Sequence, residues 1–180
     1  MILMLNKITN RFNIRLSVAI IFSTTSLPIL YAQKNSEPQA RAVGRVQQEL
    51  NEKDLSLKIW DAYRPYSVTE KMWELIKDER YVADPKKGSG HNRGIAVDLT
   101  IIDRTTGKEL DMGTGFDNFT DTAHQTFKNL PLEILNNRGL LKTVMEKNGF
   151  VAMETEWWHF FWNNQDFELL DIDPKKFKKI

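Results

Sequence analysis

The chain has 180 residues, a length that suits one domain better than two. Hydrophobic residues make up 41% and charged residues 27%, which is enough for a core and argues against global disorder. Lys and Arg number 25 against 24 Asp and Glu, a balance that argues against nucleic-acid binding, and the absence of cysteine excludes disulfides, thiolate metal sites and thiol catalysis.

The N-terminal segment has the pattern of a secretory signal peptide. Lys7, Arg11 and Arg15 precede an apolar stretch at 16–30, and no acidic residue occurs before Ala32. This stretch is shorter than the roughly 20 residues that a membrane-spanning helix needs. We therefore expect cleavage after Ala32 and a periplasmic or secreted protein without stable membrane association. The alternatives are an uncleaved membrane anchor and a mis-started reading frame, and without a signal the protein would be cytoplasmic.

These boundaries predict a signal peptide at 1–32 and a single domain at 33–180. The domain opens with a helix at 37–52, for which Ser36 is the expected N-cap and Gln39 the partner three residues later. Apolar and polar residues then alternate over 55–60, a pattern typical of a strand.

A second helix and a second strand flank a glycine-rich loop. Ser67 and Glu70 form a second capping box, which predicts a helix at 68–80. The expected apolar face of this helix consists of Val68, Met72, Leu75 and Ile76. Pro85 and three glycines mark a loop at 83–94, and a strand is predicted at 95–102.

The rest of the chain completes a mixed fold. Residues 103–130 show no regular pattern, whereas 133–147 predicts a helix and the aromatic run at 157–162 predicts a strand. Helices and strands that do not alternate regularly indicate an α+β fold, with helices packed on a small antiparallel sheet.

Two segments concentrate the residue types that hold metal ions and move protons. His91 and Asp98 lie within S-G-H-N-R-G-I-A-V-D at 89–98, and Glu156 and His159 lie within E-W-W-H. Zinc peptidases commonly use three protein ligands and leave one position for water. The two histidines and Asp98 could supply those ligands, and Glu156 is the candidate general base.

Strand geometry constrains this hypothesis. Asp98 lies on the strand face opposite Val97 and Leu99, where a buried acid is costly unless it is paired or bound to a metal ion. Glu156 and His159 are three residues apart and would face opposite ways on a regular strand, so we expect Glu156 to precede the strand or lie at a bulge. Taken singly, these residues have plain alternatives: a packed histidine, a strand-end cap and a solvated glutamate.

Together the motifs resemble a known family. The pattern S-x-H followed by Asp at 89–98, with E-W-W-H at 156–159, is similar to the zinc D,D-peptidases that include the VanX-type D-alanyl-D-alanine dipeptidases. D-A-Y-R-P at 61–65 and M-G-T-G-F-D at 112–117 resemble further segments of these dipeptidases. The resemblance covers about 55–162 and favours the dipeptidase branch over the related D,D- and L,D-carboxypeptidases.

The resemblance implies a hedgehog-like α+β fold and one Zn²⁺ per chain. The implied zinc ligands are His91, Asp98 and His159. Glu156 would act as base and proton carrier, and Arg64 would bind the scissile carbonyl oxygen, where a fixed guanidinium stabilises developing negative charge.

The implied substrate is a small D-amino-acid dipeptide. Ser89 and Asp117 would help to bind it, Asp117 through the ammonium group of the dipeptide; as plain alternatives, Ser89 caps the loop and Asp117 makes a turn. Two other functions stay open: a carboxypeptidase that trims peptidoglycan stem peptides, and a non-catalytic, zinc-stabilised module that binds cell-wall peptides. Residues 33–54 offer no counterpart to the longer N-terminal region of the family, which predicts a shortened cover and a more open pocket.

Overall fold

The computed structural model describes residues 27–162 and 167–176. Its helices and strands are α1 (Leu27–Asn51), β1 (Leu55–Asp61), α2 (Tyr66–Leu75), β2 (Ala96–Asp103), α3 (Leu132–Lys147), β3 (Phe150–Ala152) and β4 (His159–Trp162). Short 3₁₀ turns occur at His91–Arg93, Asp121–Ala123 and Pro174–Lys176. The predicted α+β class is confirmed.

The four strands form one antiparallel sheet in the order β1-β2-β4-β3. The inner strand β2 pairs with β1, where Leu57 lies opposite Ile101, and with β4, where Asp98 lies opposite His159. The register of β1 shifts near its end, so that Asp61 also comes opposite Asp98. The register therefore places three polar residues side by side across the middle of the sheet.

One face of the sheet carries the core. Helices α1 and α3 contact each other, and they pack on β1 and β3 respectively. Buried apolar side chains from these helices and from the sheet include Val46, Leu50, Leu99, Ile101, Leu141, Met145 and Phe160. Because successive side chains of a strand point to opposite faces, Asp98 and His159 point away from this core.

Several predicted elements agree with the structure to within a residue or two. The strands predicted at 55–60 and 95–102 are β1 and β2, and the helix predicted at 133–147 is α3. Helix α3 ends at Lys147 with Asn148 as its C-cap, and Gly149 follows with a φ of 92° that glycine adopts without strain. The predicted aromatic strand at 157–162 begins two residues late, because Trp157 and Trp158 lie in the preceding turn.

The predicted start of the first helix is wrong, although its predicted end is confirmed. Helix α1 begins at Leu27 and continues through Ser36, so Ser36 cannot be the N-cap, which serves the N–H groups of the first turn. Residues 1–26 of the predicted signal peptide lie outside the described residues, and cleavage and export stay predictions. Within the described ranges, none of the helices is long and apolar enough to cross a membrane.

The predicted capping box and buried face of α2 are also wrong. Pro65 is the N-cap residue, and Ser67 lies inside the first turn, where its N–H and hydroxyl bond to the Asp171 carboxylate at 3.0 and 2.8 Å. Of the predicted apolar face, Val68 and Leu75 are exposed and Met72 and Ile76 are half-buried, whereas Thr69 is fully buried. Helix α2 ends at Leu75, before the predicted end at residue 80, because the backbone of Ile76 is extended.

Substitution of two leucines of α3 tests whether the buried face of this helix stabilises the fold. Leu141 is fully buried and Leu132 is 72% exposed. We expect Leu141→Ala to lower the free energy of unfolding by about 2–5 kcal/mol and Leu132→Ala to change it by less than about 0.5 kcal/mol, because only the first leaves a cavity. Urea denaturation followed by circular dichroism measures both values. Equal losses would contradict the described packing of α3.

Candidate active site

The floor of the candidate site is the sheet face that points away from the core. Asp98 on β2 lies opposite His159 on β4, and the Nδ1 atom of His159 is 2.8 Å from Asp98 Oδ1. Asp98 is only 3% exposed and His159 7% exposed. Strand register therefore brings a buried carboxylate and a buried imidazole into contact from distant parts of the chain.

His91 reaches this floor from the glycine-rich loop. The 3₁₀ turn that carries it ends at Gly94, whose φ of 68° lies in the left-handed region that favours glycine. Gly90 packs so closely on Ala96 that a Cβ there would lie 2.9 Å from the Ala96 methyl carbon. The Nδ1 atom of His91 is 3.0 Å from the Ala62 carbonyl oxygen, which leaves Nε2 as the atom that faces Asp98.

His91, Asp98 and His159 form one buried cluster, as the sequence predicts. His91 Nε2 lies 3.2 Å from Asp98 Oδ2 and 3.3 Å from His159 Nδ1. One ligand atom from each residue lies within 4.8 Å of the others.

The chemistry of these donor atoms fits a metal ion. Because His91 donates its Nδ1–H to the Ala62 carbonyl, a neutral His91 presents the lone pair of Nε2 to the cluster. His91 Nε2 and His159 Nδ1 face each other across 3.3 Å beside the Asp98 carboxylate, so two nitrogen donors and an oxygen donor converge on one point. The cluster could therefore hold a metal ion.

The charges of the cluster also favour a bound cation. Burial opposes ionisation of Asp98, but His91 and His159 hold its pKa far below the usual range. Burial opposes protonation of His91 as well, yet the Asp98 carboxylate outweighs it and raises the His91 pKa. At His159, burial prevails and lowers the pKa. The centre of the site is therefore a carboxylate that stays negative.

Glu156 precedes β4 rather than lying within it, as strand geometry predicts. The His159 N–H donates to the Glu156 carbonyl at 3.3 Å, which closes a turn and turns the Glu156 side chain toward the ligands. Its Oε2 lies 3.8 Å from His159 Nδ1, and the residue is 5% exposed. Burial, reinforced by the charges of Asp98 and Asp117, raises the pKa of Glu156 to about 8.

Arg64 approaches the cluster from the turn after β1. Its guanidinium pairs with Asp61, with Nη2 2.7 Å and Nε 2.8 Å from Asp61 Oδ2. The same Nη2 lies 3.9 Å from Asp98 Oδ2. Arg64 is thus held beside the cluster but is paired chiefly with another carboxylate.

Ser89 and Asp117 lie at the edges of the site. The Ser89 hydroxyl accepts a hydrogen bond from the His91 N–H at 3.2 Å, so it caps the loop that carries a predicted ligand. Asp117 adopts a left-handed φ of 58°, and its side chain is exposed. Partial withdrawal from water and the Asp98 charge raise the Asp117 pKa.

All the predicted site residues line one cavity of about 230 Å³. Its apolar walls come from Met72, Tyr81, Phe119, Met153 and Phe161, of which only Phe161 belongs to a segment, the aromatic run at 157–162, that the sequence singles out. The Tyr81 and Phe119 rings pack against each other, with their centroids 4.7 Å apart. No local pattern marks Tyr81, Phe119 and Met153, because they come from separate loops that meet only in the folded chain.

A second set of contacts, also missed from sequence, holds the turn that carries Glu156. The Gln125 N–H donates to the Glu154 carbonyl at 2.8 Å, and the Trp157 N–H donates to the Ala123 carbonyl at 3.0 Å. Both bonds join the irregular segment before α3 to the turn around Glu156. The segment that shows no pattern in sequence therefore supports the candidate base.

Comparison with known proteins assigns the family. The profile of the Peptidase M15 family, described as D-ala-D-ala dipeptidase, matches residues 33–177. The chain belongs to this family. The match includes every residue of the cavity described above.

Individual relatives carry the same name. A D-alanyl-D-alanine dipeptidase of Escherichia coli strain K12 is 43% identical over 106 residues, which are 59% of this chain and 54% of that protein. The D-alanyl-D-alanine dipeptidase of Enterococcus faecalis is 30% identical over 122 residues, 58% of this chain and 60% of that protein. That of Streptomyces coelicolor is 31% identical over 140 residues, 66% of this chain and 68% of that protein. The chain thus matches little more than half the length of the first relative.

Loss of the central carboxylate tests the metal site. We expect Asp98→Asn to weaken metal binding by more than about 100-fold, because the effect of removing a ligand exceeds the 10–100-fold typical of outer-shell partners. Glu156→Gln, beside the ligands but outside the set, should keep full metal content. Titration with Zn²⁺ and metal analysis after dialysis measure both. Equal metal affinity in Asp98→Asn and the unaltered protein would contradict the assignment.

Proposed function

We propose that this chain is a zinc-dependent D-alanyl-D-alanine dipeptidase. The observation that carries the proposal is the buried cluster of His91, Asp98 and His159, which shares one small cavity with Glu156 and Arg64. Metal binding alone requires neither a glutamate nor an arginine at such a site, so their presence supports hydrolysis. The names of the relatives support the choice of substrate.

The cluster would hold Zn²⁺, which accepts nitrogen and oxygen ligands and, with three protein ligands, keeps one position open. Bound zinc supplies Lewis acidity, which polarises a carbonyl oxygen and lowers the pKa of water. The protein contributes by keeping Asp98 ionised and both imidazoles oriented. The hydrogen bond from His91 Nδ1 to the Ala62 carbonyl fixes the His91 ring. The Phe161 ring, whose centroid is 4.5 Å from that of His159, restrains the His159 ring.

Glu156 is the group that would move protons. It would accept a proton from the attacking water and deliver it to the leaving amine. Its pKa of about 8 lies near neutral pH, where a carboxylate both accepts and releases a proton readily. Burial keeps this carboxylate out of bulk water, and its Oε2 lies beside the proposed ligands, 3.8 Å from His159 Nδ1.

Arg64 would stabilise the oxyanion that develops as the peptide carbonyl is attacked. A guanidinium stays charged throughout the relevant pH range, and in a buried site its charge is worth more than in water. Asp61 holds Nε and Nη2, so the side chain does not have to be ordered when the substrate arrives.

The cavity favours a short substrate with a free amine. A volume of about 230 Å³ suits a small dipeptide, and the acidic residues Glu79, Asp98, Asp117 and Glu156 all line it. Asp117 at the rim would attract the ammonium group of the dipeptide. Ser89, which also lines the cavity, would help to position the peptide from the glycine-rich loop.

Substitution of the candidate base tests the mechanism. Glu156→Gln should retain one zinc ion per chain and reduce kcat for D-alanyl-D-alanine by about 10²–10⁴-fold, because the proton acceptor is lost while the ligands remain. Glu154→Gln is the matched control: it lies two residues earlier in the same turn, is exposed and should keep normal turnover. Unchanged turnover in Glu156→Gln would reject its role.

A comparison of substrates separates the remaining functions. Because the cavity is small, we expect hydrolysis of D-alanyl-D-alanine to exceed trimming of a stem pentapeptide by at least about tenfold in kcat/KM. Preferential trimming of the pentapeptide would support the carboxypeptidase alternative. Stoichiometric zinc without turnover of either peptide would support the binding module.

A further inference from the structure

The turn that carries Arg64 is fastened to the loop that carries His91. The Ala62 carbonyl accepts from His91 Nδ1 at 3.0 Å, and the Arg64 N–H donates to the His91 carbonyl at 3.2 Å. A third bond runs from Asn92 Nδ2 to the Arg64 carbonyl at 2.8 Å. Both backbone polar groups of Arg64 therefore bond to two consecutive residues of the neighbouring loop.

Asn92 is the centre of this arrangement, and both polar atoms of its side chain are hydrogen-bonded. The residue is 0% exposed. Its Oδ1 accepts from the Ser89 N–H at 2.9 Å, and its Nδ2 also donates to Thr69 Oγ1 at 2.9 Å. The backbone carbonyl of Asn92 accepts from the Leu170 N–H at 3.0 Å. One carboxamide thus joins the glycine-rich loop, the Arg64 turn and helix α2.

Arg64 is consequently held at both ends. Its backbone is fixed by His91 and Asn92, and its guanidinium is fixed by Asp61. With both ends fixed, the position of the backbone decides where the guanidinium lies relative to the ligand cluster. A shift of about 1 Å in such a group can cost on the order of 100-fold in rate.

We propose that Asn92 is a positioning residue that sets the place of Arg64 relative to the metal ligands. This inference rests on the proposed function of Arg64. Asn92 itself lies behind the site and touches the reaction only through Arg64 and the loop. The hydrogen bonds of Asn92 also explain why α2 buries Thr69, since the Thr69 hydroxyl accepts the second hydrogen bond that Asn92 Nδ2 donates.

Asn92→Asp removes the key contact with little change in shape. A carboxylate still accepts from the Ser89 N–H, and the Thr69 hydroxyl can turn to donate to it. Only the bond to the Arg64 carbonyl, an acceptor, has to be lost. We expect kcat for D-alanyl-D-alanine to fall by about tenfold or more, with KM changed by less than about threefold and zinc content unchanged.

A double-mutant cycle with Arg64→Ala separates positioning from general damage. In the Arg64→Ala protein, Asn92→Asp should change the residual kcat by less than about twofold, because the group that Asn92 positions is absent. An undiminished tenfold loss in that background would overturn the proposal. Asn92→Ser, which introduces no charge, repeats the cycle if the aspartate variant does not fold.

Gln47→Glu is the matched control for a buried amide. Gln47 is 6% exposed, its Oε1 accepts from the Leu57 N–H at 2.8 Å, and its Nε2 donates to Asn51 Oδ1 at 2.7 Å. It makes the same kind of contacts between α1 and β1, outside the cavity lining. We expect Gln47→Glu to lower the melting temperature while leaving kcat within about twofold of normal. A loss of kcat equal to that of Asn92→Asp would mean that general destabilisation explains both, which would overturn the proposal.

Hydrogen exchange gives a readout that does not need activity. In the metal-free protein, the Arg64 amide should exchange at least about tenfold faster in Asn92→Asp than in the unaltered chain, because the turn loses one of its fastenings. Unchanged Arg64 exchange would overturn the positioning role. If the unaltered chain hydrolyses no peptide, the proposed function fails, and the exchange measurement still decides the role of Asn92.

Discussion

The structure of the site depends on one buried carboxylate. Asp98 lies on an inner strand, is 3% exposed, and has an imidazole on each side at 2.8 and 3.2 Å. An isolated carboxylate at such a place would be strongly destabilising or would become protonated. His91 and His159 keep it charged, and each comes from a different segment. Neutralisation of Asp98 therefore joins β2 to β4 and to the glycine-rich loop.

The sheet separates stability from chemistry. Val97, Leu99 and Ile101 of β2 face the helices and form the core, whereas Asp98 faces the cavity. On the cavity side, the hydrogen bonds of Asn92 join the glycine-rich loop, the Arg64 turn and helix α2. A rigid apolar face thus supports a polar face whose groups need accurate placement.

Strand alternation predicted the positions of site residues correctly, whereas the helix pattern of α2 predicted its start and buried face wrongly. Alternation along β2 was enough to place Asp98 opposite the core, and the same rule required Glu156 to precede β4. The prediction for helix α2 was wrong because distant residues set the start and the buried face of this helix. The Asp171 carboxylate accepts a hydrogen bond from Ser67, and Asn92 donates one to Thr69. Neither partner is visible in a local pattern. The loop residues of the apolar cavity wall were missed for the same reason, since Tyr81 and Phe119 meet only after folding.

Asp61 would resolve a conflict that an arginine creates beside the proposed metal site. A guanidinium close to Asp98 would compete with a metal ion for the same carboxylate, yet a distant one could not stabilise an oxyanion. Asp61 holds Arg64 at 2.7 Å, while the distance from Arg64 Nη2 to Asp98 Oδ2 is 3.9 Å. Since a charge-assisted bond is strongest near 2.8 Å, Asp61 is the preferred partner and Asp98 is left to the histidines. The register shift at the end of β1 places Asp61 opposite Asp98, so a backbone irregularity sets this division of charge.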